Sequence, residues 1–94
     1  MSDLSIGSDW DIINQDLTTT YVEVTHPRPI RGFRIKARGE ANIRHKRLSS
    51  DTKYSTIKGG TAEPFTIWLS QATASLGFYA AEAGTETLEA YVFF

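Results

Sequence analysis

Histidine and cysteine are the side chains that most often carry chemistry near neutral pH. This chain has two histidines, His26 and His45, and no cysteine. Without a thiol, the sequence excludes a disulfide framework, a cysteine nucleophile and a zinc–thiolate site. Neither histidine has the partner four residues away that a helical metal site needs. His45 alternates with Ala41 and Ile43, which predicts a partly buried structural histidine, whereas His26 precedes a proline and is expected on the surface.

Other catalytic arrangements find no support in the sequence. No Gly-x-Ser-x-Gly segment is present to hold a nucleophilic serine, and the carboxylates lie in the N-terminal segment and near turns. Gly59-Gly60-Thr61 lacks the Lys-Ser/Thr pair of a phosphate-binding loop, so it is interpreted as a hairpin turn. We therefore expect no enzymatic activity, no cofactor and no metal.

The charged residues point to binding, because they are sorted along the chain. The formal net charge is only −1, yet all ten lysines and arginines lie between Arg28 and Lys58, where just two carboxylates oppose them. Residues 1–27 carry five carboxylates and residues 59–94 carry four. Asymmetry of this kind usually bears on partners rather than on fold.

Five of these cations follow a strand pattern. Residues 33–38 alternate between apolar and basic side chains. In residues 41–46, Ala41 and Ile43 alternate with polar or basic side chains at positions 42, 44 and 46. If Gly39-Glu40 forms a turn, both strands present their basic side chains on one sheet surface. The predicted interface cations are Arg34, Lys36, Arg38, Arg44 and Lys46.

Three interpretations of this basic surface remain open. It is a solvated face screened by salt, a site for nucleic acid or another anion, or a contact for an acidic protein surface. The acidic surface could be the N-terminal segment or residues 82–89 of another copy. The isoelectric point of about 6.1 argues against nucleic acid, which usually selects strongly basic proteins. The acidic protein surface is favoured.

Aromatic side chains supply a second group of interface candidates. Alternation that buries residues 65, 67 and 69 turns Trp68 outward. With predicted core positions at 78, 92 and 94, the same alternation turns Tyr79, Tyr91 and Phe93 outward. Outward aromatics are typical of a subunit interface or a sugar-binding platform, although a solvated sheet face can also carry them. The candidates are Trp10, Trp68, Tyr79, Tyr91 and Phe93.

The elements that position these side chains are predicted to be strands. The length of 94 residues suits a single domain, and 40% hydrophobic residues argue against disorder. Turn signals near residues 27, 39, 50, 60, 72 and 84 predict about seven strands in an all-β fold, an antiparallel, jelly-roll-like β-sandwich. Residues 76–83 fit either a strand or a helix, with a strand favoured.

The N-terminal segment is predicted to differ from the rest. Residues 1–16 are acidic and are interpreted as an arm, extended or with one helical turn at residues 8–11, before a β-sandwich domain over residues 17–94. The segment lacks the basic stretch and apolar run of a secretory signal, and no apolar run approaches the roughly 20 residues of a membrane span. We expect synthesis in the cytoplasm and no membrane partner.

Three segments resemble a known class of proteins. Residues 28–35 (RPIRGFRI) and 37–43 (ARGEANI) are similar to an arginine-rich strand, a glycine-acidic turn and a second strand. Residues 54–57, followed by Gly60-Thr61, Pro64 and Ile67, resemble the middle of the same pattern, and Gly84-Thr85 resembles its closing hairpin. This pattern looks like the small β-sandwich virion proteins of tailed phages and gene transfer agents. An arginine before Gly39 departs from it.

The resemblance implies a non-enzymatic, capsid-associated protein of the head-spike-base or decoration type. It implies a ring-like homo-oligomer that contacts a capsid protein, with a fibre protein as a further partner. The protein is expected in the virion, after synthesis in the host cytoplasm. A carbohydrate- or anion-binding β-sandwich module is the alternative.

Overall fold

The structure is a computed structural model that describes residues 9–60 and 64–94 of the 94-residue chain. Every element in this part of the chain is a β-strand, which confirms the predicted all-β class. The strands are β1 Trp10–Leu17, β2 Val22–Ala37, β3 Ile43–Lys46, β4 Ser55–Ile57, β5 Phe65–Ala81 and β6 Glu86–Phe93.

The six strands form one antiparallel sheet in the order β1-β6-β2-β5-β3-β4. The predicted count of about seven is corrected because β2 and β5 each join two predicted strands, while β1 adds a strand that was not expected. β2 and β5 are unusually long, at 16 and 17 residues. The two-layer sandwich and its jelly-roll topology stay predictions.

The strand β2 runs through two prolines, so the predicted break at residues 26–29 is wrong. The sheet accommodates Pro27 and Pro29 because β2 and β5 have no paired positions between Thr25 and Ile30. Proline has no N–H group to donate, but the ladder requires no donor at these two positions. The turn predicted near residue 72 is likewise continuous strand in β5. We call the stretch of β2 between Thr25 and Ile30 the pairing gap.

Residues 76–81 complete β5, which favours the strand over the helix that the sequence also allowed. Gly77 has a φ of 100°, a left-handed value that glycine adopts without a steric penalty. A register shift between β2 and β5 falls at this glycine. A bulge changes which face the following side chains occupy, and as a result Leu76 and Tyr79 are both buried.

The predicted hairpin between β2 and β3 is wrong, because β5 lies between these strands in the sheet. The chain at Gly39-Glu40 forms a loop that Glu86 holds in place. The Glu86 carboxylate accepts hydrogen bonds from the backbone N–H groups of Gly39 (2.9 Å), Ala41 (3.0 Å) and Thr87 (2.8 Å). Glu86 is only 8% exposed, and these three donors compensate for the burial of its charge.

The N-terminal part of the described chain belongs to the sheet. β1 pairs with β6 along its whole length, from Trp10 opposite Phe93 to Leu17 opposite Glu86. Residues 10–16 are therefore an edge strand rather than a separate acidic arm, and Trp10 and Asp11 are extended. The rest of the predicted arm, residues 1–8, lies outside the described residues.

Alternation along β2 and β6 separates a core face from an opposite face, as the sequence predicted. The apolar residues of β2 at positions 33, 35 and 37 are buried, while the basic residues between them are exposed. Fully burying a side chain such as Ile35 contributes about 2 kcal/mol. The core also takes Leu17 from β1, Ile43 from β3 and Leu88 and Val92 from β6.

Candidate functional site

Four neighbouring strands, β1, β6, β2 and β5, turn one set of side chains away from the core, and we call this surface the outer face. The register aligns its residues in rows that cross the strands. The first row is Trp10, Phe93, Gly32 and Trp68; the second is Ile12, Tyr91, Arg34 and Thr66; the third contains Asn14, Glu89 and Lys36.

The first row is a continuous aromatic surface. The rings of Trp68 and Phe93 stack, with centroids 5.4 Å apart, although β2 separates their strands. The intervening residue is Gly32, and a β-carbon at that position would collide with the Trp68 ring. Trp10 meets Tyr91 edge to face at 5.5 Å. Trp68 is 68% exposed, so this large apolar ring lies on the surface.

The second row combines apolar side chains with an arginine. Ile12 and Tyr91 are 49% and 45% exposed. Arg34 lies between Tyr91 and Thr66, and its Nε donates to Thr66 Oγ1 at 3.4 Å. Arg34 forms no salt bridge with any described residue. Its guanidinium therefore keeps most of its donors directed to solvent.

The third row is an ion-pair network. Arg38 Nε donates to Glu89 Oε2 at 2.7 Å, and Lys36 Nζ lies 3.7 Å from Glu89 Oε1. The hydrogen bond from Arg38 holds the pKa of Glu89 below its usual value, and Lys36 acts in the same direction. Arg38 also donates to Asn14 Oδ1 at 3.1 Å. A shallow groove of about 320 Å³ runs over this row and past Ile12, Arg34 and Tyr91.

The structure brings seven of the ten predicted interface residues together on the outer face. The remaining cations, Arg44 and Lys46, lie on β3, which contributes no residue to the outer face. Arg44 packs over the ring of Tyr54 at 4.6 Å and lies 3.9 Å from Glu82, and Lys46 lies over Tyr21 at 4.3 Å. The single basic surface predicted from residues 34–46 is therefore two separate groups.

Tyr79 was predicted to point outward, and this prediction is wrong. Tyr79 is fully buried, and its hydroxyl donates to the carbonyl of Leu76 at 2.7 Å. The bulge at Gly77 brings it to the core face, where its ring stacks on His45 with centroids 4.5 Å apart. Burial raises the pKa of Tyr79. His45 is half-buried, as predicted, and desolvation lowers its pKa while a hydrogen bond to the backbone of Leu76 opposes that effect.

His26 was expected on the surface, but only 10% of its side chain is exposed. The ring lies 5.1 Å from that of Phe94, which covers it. Its Nδ1 accepts the backbone N–H of Arg28 at 3.0 Å, and its Nε2 lies 2.9 Å from Asp11 Oδ2. The hydrogen bond from His26 lowers the pKa of Asp11. These contacts connect β1 to β2 and give the histidine a structural role.

The described residues contain no group of three or more histidine, cysteine, aspartate or glutamate side chains that could hold a metal ion. Within residues 9–60 and 64–94, no helix is long and apolar enough to cross a membrane. Two important residues were missed by the sequence reasoning. The signal for Gly32 was a glycine within a predicted strand, which often marks a close approach of other groups. Glu86 gave no signal, because its role depends on a loop from another part of the chain.

No family model, no curated protein sequence and no solved structure matches this chain. The outer face is therefore the basis for a functional proposal.

Proposed function

We propose that the protein is a non-enzymatic structural protein of a virion, which attaches to a capsid and self-associates as a spike base or a decoration protein would. In this proposal the outer face is the attachment surface. The resemblance of residues 28–43, 54–67 and 84–91 to such proteins supplies the class. The geometry of the outer face supplies the mode of binding.

The observation that carries the proposal is the exposed aromatic row. Trp68 is the most exposed of the large hydrophobic residues in the described part of the chain, and it is held in place by its stacking on Phe93. An ordered, exposed aromatic surface loses little conformational entropy when a partner covers it. Tryptophan, tyrosine and arginine are also the residues that dominate protein-protein binding energies. Trp68, Tyr91 and Arg34 lie within adjacent rows of the outer face.

The charges of the outer face favour an acidic partner surface. Arg34, Lys36 and Arg38 outnumber the two carboxylates of the outer face, Glu89 and Asp16. Of these two, Glu89 forms the salt bridges with the cations. A capsid surface that offered a carboxylate to Arg34 and an apolar side chain to Trp68 would match both properties. Such a contact would be sensitive to salt at its rim and less so at its aromatic centre.

The finer architecture also belongs to this proposal. We infer that β2 and β5 bend at the pairing gap, so that the sheet folds into two layers as a jelly-roll-like sandwich does. The register shifts on both sides of the gap support this inference, because bulges bend strands and increase their twist.

Particles purified from the strain that carries the gene provide the test. We expect the protein in those particles at a fixed ratio to the major capsid protein, measured by quantitative mass spectrometry. Purified protein added to particles from a deletion strain should co-sediment with them. Trp68→Ala should weaken co-sedimentation at least tenfold. Tyr54→Ala removes another exposed aromatic side chain, away from the outer face, and should not weaken it.

Two results would overturn the proposal: absence of the protein from purified particles, and co-sedimentation that Trp68→Ala leaves unchanged. Light scattering after size exclusion gives the oligomeric state directly. If the protein is a monomer at every protein and salt concentration, the self-association claim of the proposal is wrong.

A carbohydrate-binding module is the second candidate, because a planar, exposed Trp68 beside a groove with Arg34 and Asn14 also suits a sugar ring. A glycan array with the wild-type protein and Trp68→Ala distinguishes the two. Glycan binding that is lost in the variant, without any binding to particles, favours the module.

A further inference from the structure

The two edge strands of the sheet differ in their length and charge. β1 pairs only with β6, and β4 pairs only with β3, so the other side of each strand faces no strand in the described part of the chain. Unpaired edges offer backbone N–H and C=O groups to a second chain. The sheet therefore presents two open edges with different properties.

The edge of β1 lacks three features that often protect an edge strand: a bulge, a proline and a basic residue. Its charged residues are aspartates, which oppose another acidic edge but not a basic one. Its eight residues pair with β6 in one unbroken register, without a bulge. It contains no proline and no lysine or arginine, which are the residues that commonly prevent edge-to-edge association. The edge is long enough, and regular enough, to accept another strand.

The charge of the β1 edge is negative and is not neutralised by the described part of the same chain. Asp11 and Asp16 lie on β1, and Asp9 precedes it. Among the described residues, Asp11 contacts His26 and Asp16 accepts a hydrogen bond from the Thr87 hydroxyl, but no lysine or arginine forms a salt bridge with any of the three.

The edge of β4 has the opposite charge. β4 has only three residues, and Lys53 and Lys58 lie on either side of it. Both lysines are exposed, and neither forms a salt bridge with a described residue. Glu82 and Glu89, by contrast, have cationic partners within the chain. Carboxylates without a lysine or arginine partner among the described residues thus lie at the β1 end of the strand order, and lysines without a carboxylate partner lie at the β4 end.

We propose that copies of this chain associate head to tail, with the β1 edge of one copy against the β4 edge of the next. Two β1 edges would bring aspartates together, and two β4 edges would bring lysines together, so both symmetric pairings are opposed by charge. A contact between unlike edges is heterologous and leads to a ring or a filament. This inference rests on the self-association in the proposed function and assigns the surfaces that produce it.

Charge reversal at each edge tests the inference with the protein alone. The variants are D9K/D16K at the β1 edge and K53E/K58E at the β4 edge, with Arg31→Glu as a control at an exposed position on β2. Sedimentation velocity at 50 mM and 500 mM NaCl gives the mass distribution, and circular dichroism checks the fold. Each double variant alone should weaken association roughly tenfold at low salt, and R31E should not.

A mixture of the two double variants is the decisive sample. Each reversed edge then meets a reversed edge of opposite sign, and each unchanged edge meets an unchanged one. We expect the equimolar mixture to recover the wild-type mass. Recovery on mixing D9K/D16K with wild type, together with no effect of K53E/K58E, would instead show a symmetric β1 contact and overturn the inference.

The remaining outcomes separate this inference from the proposed function. Wild-type assemblies that persist in both double variants, but dissociate in Trp68→Ala, would place self-association on the outer face and overturn the edge contact alone. A wild-type protein that stays monomeric would overturn both. Particle binding by K53E/K58E, whose substitutions lie away from the outer face, reports on attachment independently.

Discussion

The indole of Trp68 lies across Gly32, which leaves no room for a side chain on the strand between Trp68 and Phe93. The aromatic row of the outer face is continuous because of this glycine. A tryptophan at an exposed strand position ordinarily has many rotamers, but here stacking on Phe93 gives it one supported position.

Gly32→Ala should displace the indole while leaving the fold intact. The new methyl group occupies the space of the ring, and Trp68 can swing into solvent because it is 68% exposed. We expect a red-shifted, broader tryptophan emission and at least fivefold weaker attachment to particles, with a change in unfolding free energy within about 1 kcal/mol. Thr56→Ala is the control, since Thr56 is exposed on β4, away from the outer face. Unchanged fluorescence in Gly32→Ala would contradict this prediction.

Glu86→Ala should be among the most destabilising single substitutions of a polar residue in this protein. Three backbone N–H groups, those of Gly39, Ala41 and Thr87, would lose a charged acceptor in a partly buried position. We expect a loss of about 3 kcal/mol in the free energy of unfolding, measured with urea. Glu82 is exposed, accepts a hydrogen bond from Asn42 and pairs with Arg44. Glu82→Ala should therefore lower the free energy of unfolding by less than about 1 kcal/mol. Similar costs for the two would refute the special role of Glu86.

Stability should fall as the pH is lowered through the range in which free histidine titrates. Burial lowers the pKa of His45 in the folded state, against about 6.5 in the unfolded chain. Below about pH 6.5 the unfolded chain therefore binds the proton first, and the free energy of unfolding decreases; above that pH the contribution of neutral His45 is fully present.

Urea unfolding at pH 7.5, 6.5 and 5.5 measures this dependence. We expect His45→Gln to lower stability at pH 7.5, because the stacking on Tyr79 is lost, and to flatten the slope between pH 6.5 and 5.5. His26→Asn keeps His45 and should keep its contribution to the slope. An unchanged slope in His45→Gln would exclude His45 as the titrating group.

Glu89→Gln should change binding more than stability. The carboxylate lies near the surface between Lys36 and Arg38, so its loss should cost less than about 1 kcal/mol in unfolding free energy. The outer face would gain one net positive charge and should attach to particles from the deletion strain severalfold more tightly at low salt. Arg34→Gln is the opposite test and should weaken attachment. Equal affinities at 50 mM NaCl would argue against an acidic partner surface.

The local pattern of the fold was accessible from the sequence, because alternation depends on neighbouring residues. It predicted that Arg34, Lys36 and Arg38 would be exposed beside a buried apolar set, and it predicted Trp68 and Tyr91 on the surface. Strand order was not accessible in the same way. Gly39-Glu40 has the composition of a hairpin turn, yet the residues that follow pair with β5, and this depends on contacts far apart in the chain.

The errors in the candidate site have local physical causes. Tyr79 was assigned to the wrong face because alternation was continued through Gly77, where the positive φ and the register shift interrupt it. The prolines at positions 27 and 29 indicated the end of a strand, but a proline ends a strand only where its N–H is needed by a ladder. The pairing gap removes that need, and no feature of β2 alone reveals it.

The pairing gap also has a consequence for how the protein opens. On one side of it, β2 pairs with β5 through Val22, Glu23 and Val24; on the other, it pairs with both β5 and β6. No pair between β2 and β5 falls within the gap, whereas one hydrophobic core joins the two sides. We therefore expect the amide protons on the two sides of the gap to exchange at different rates, as two cooperative units of one core.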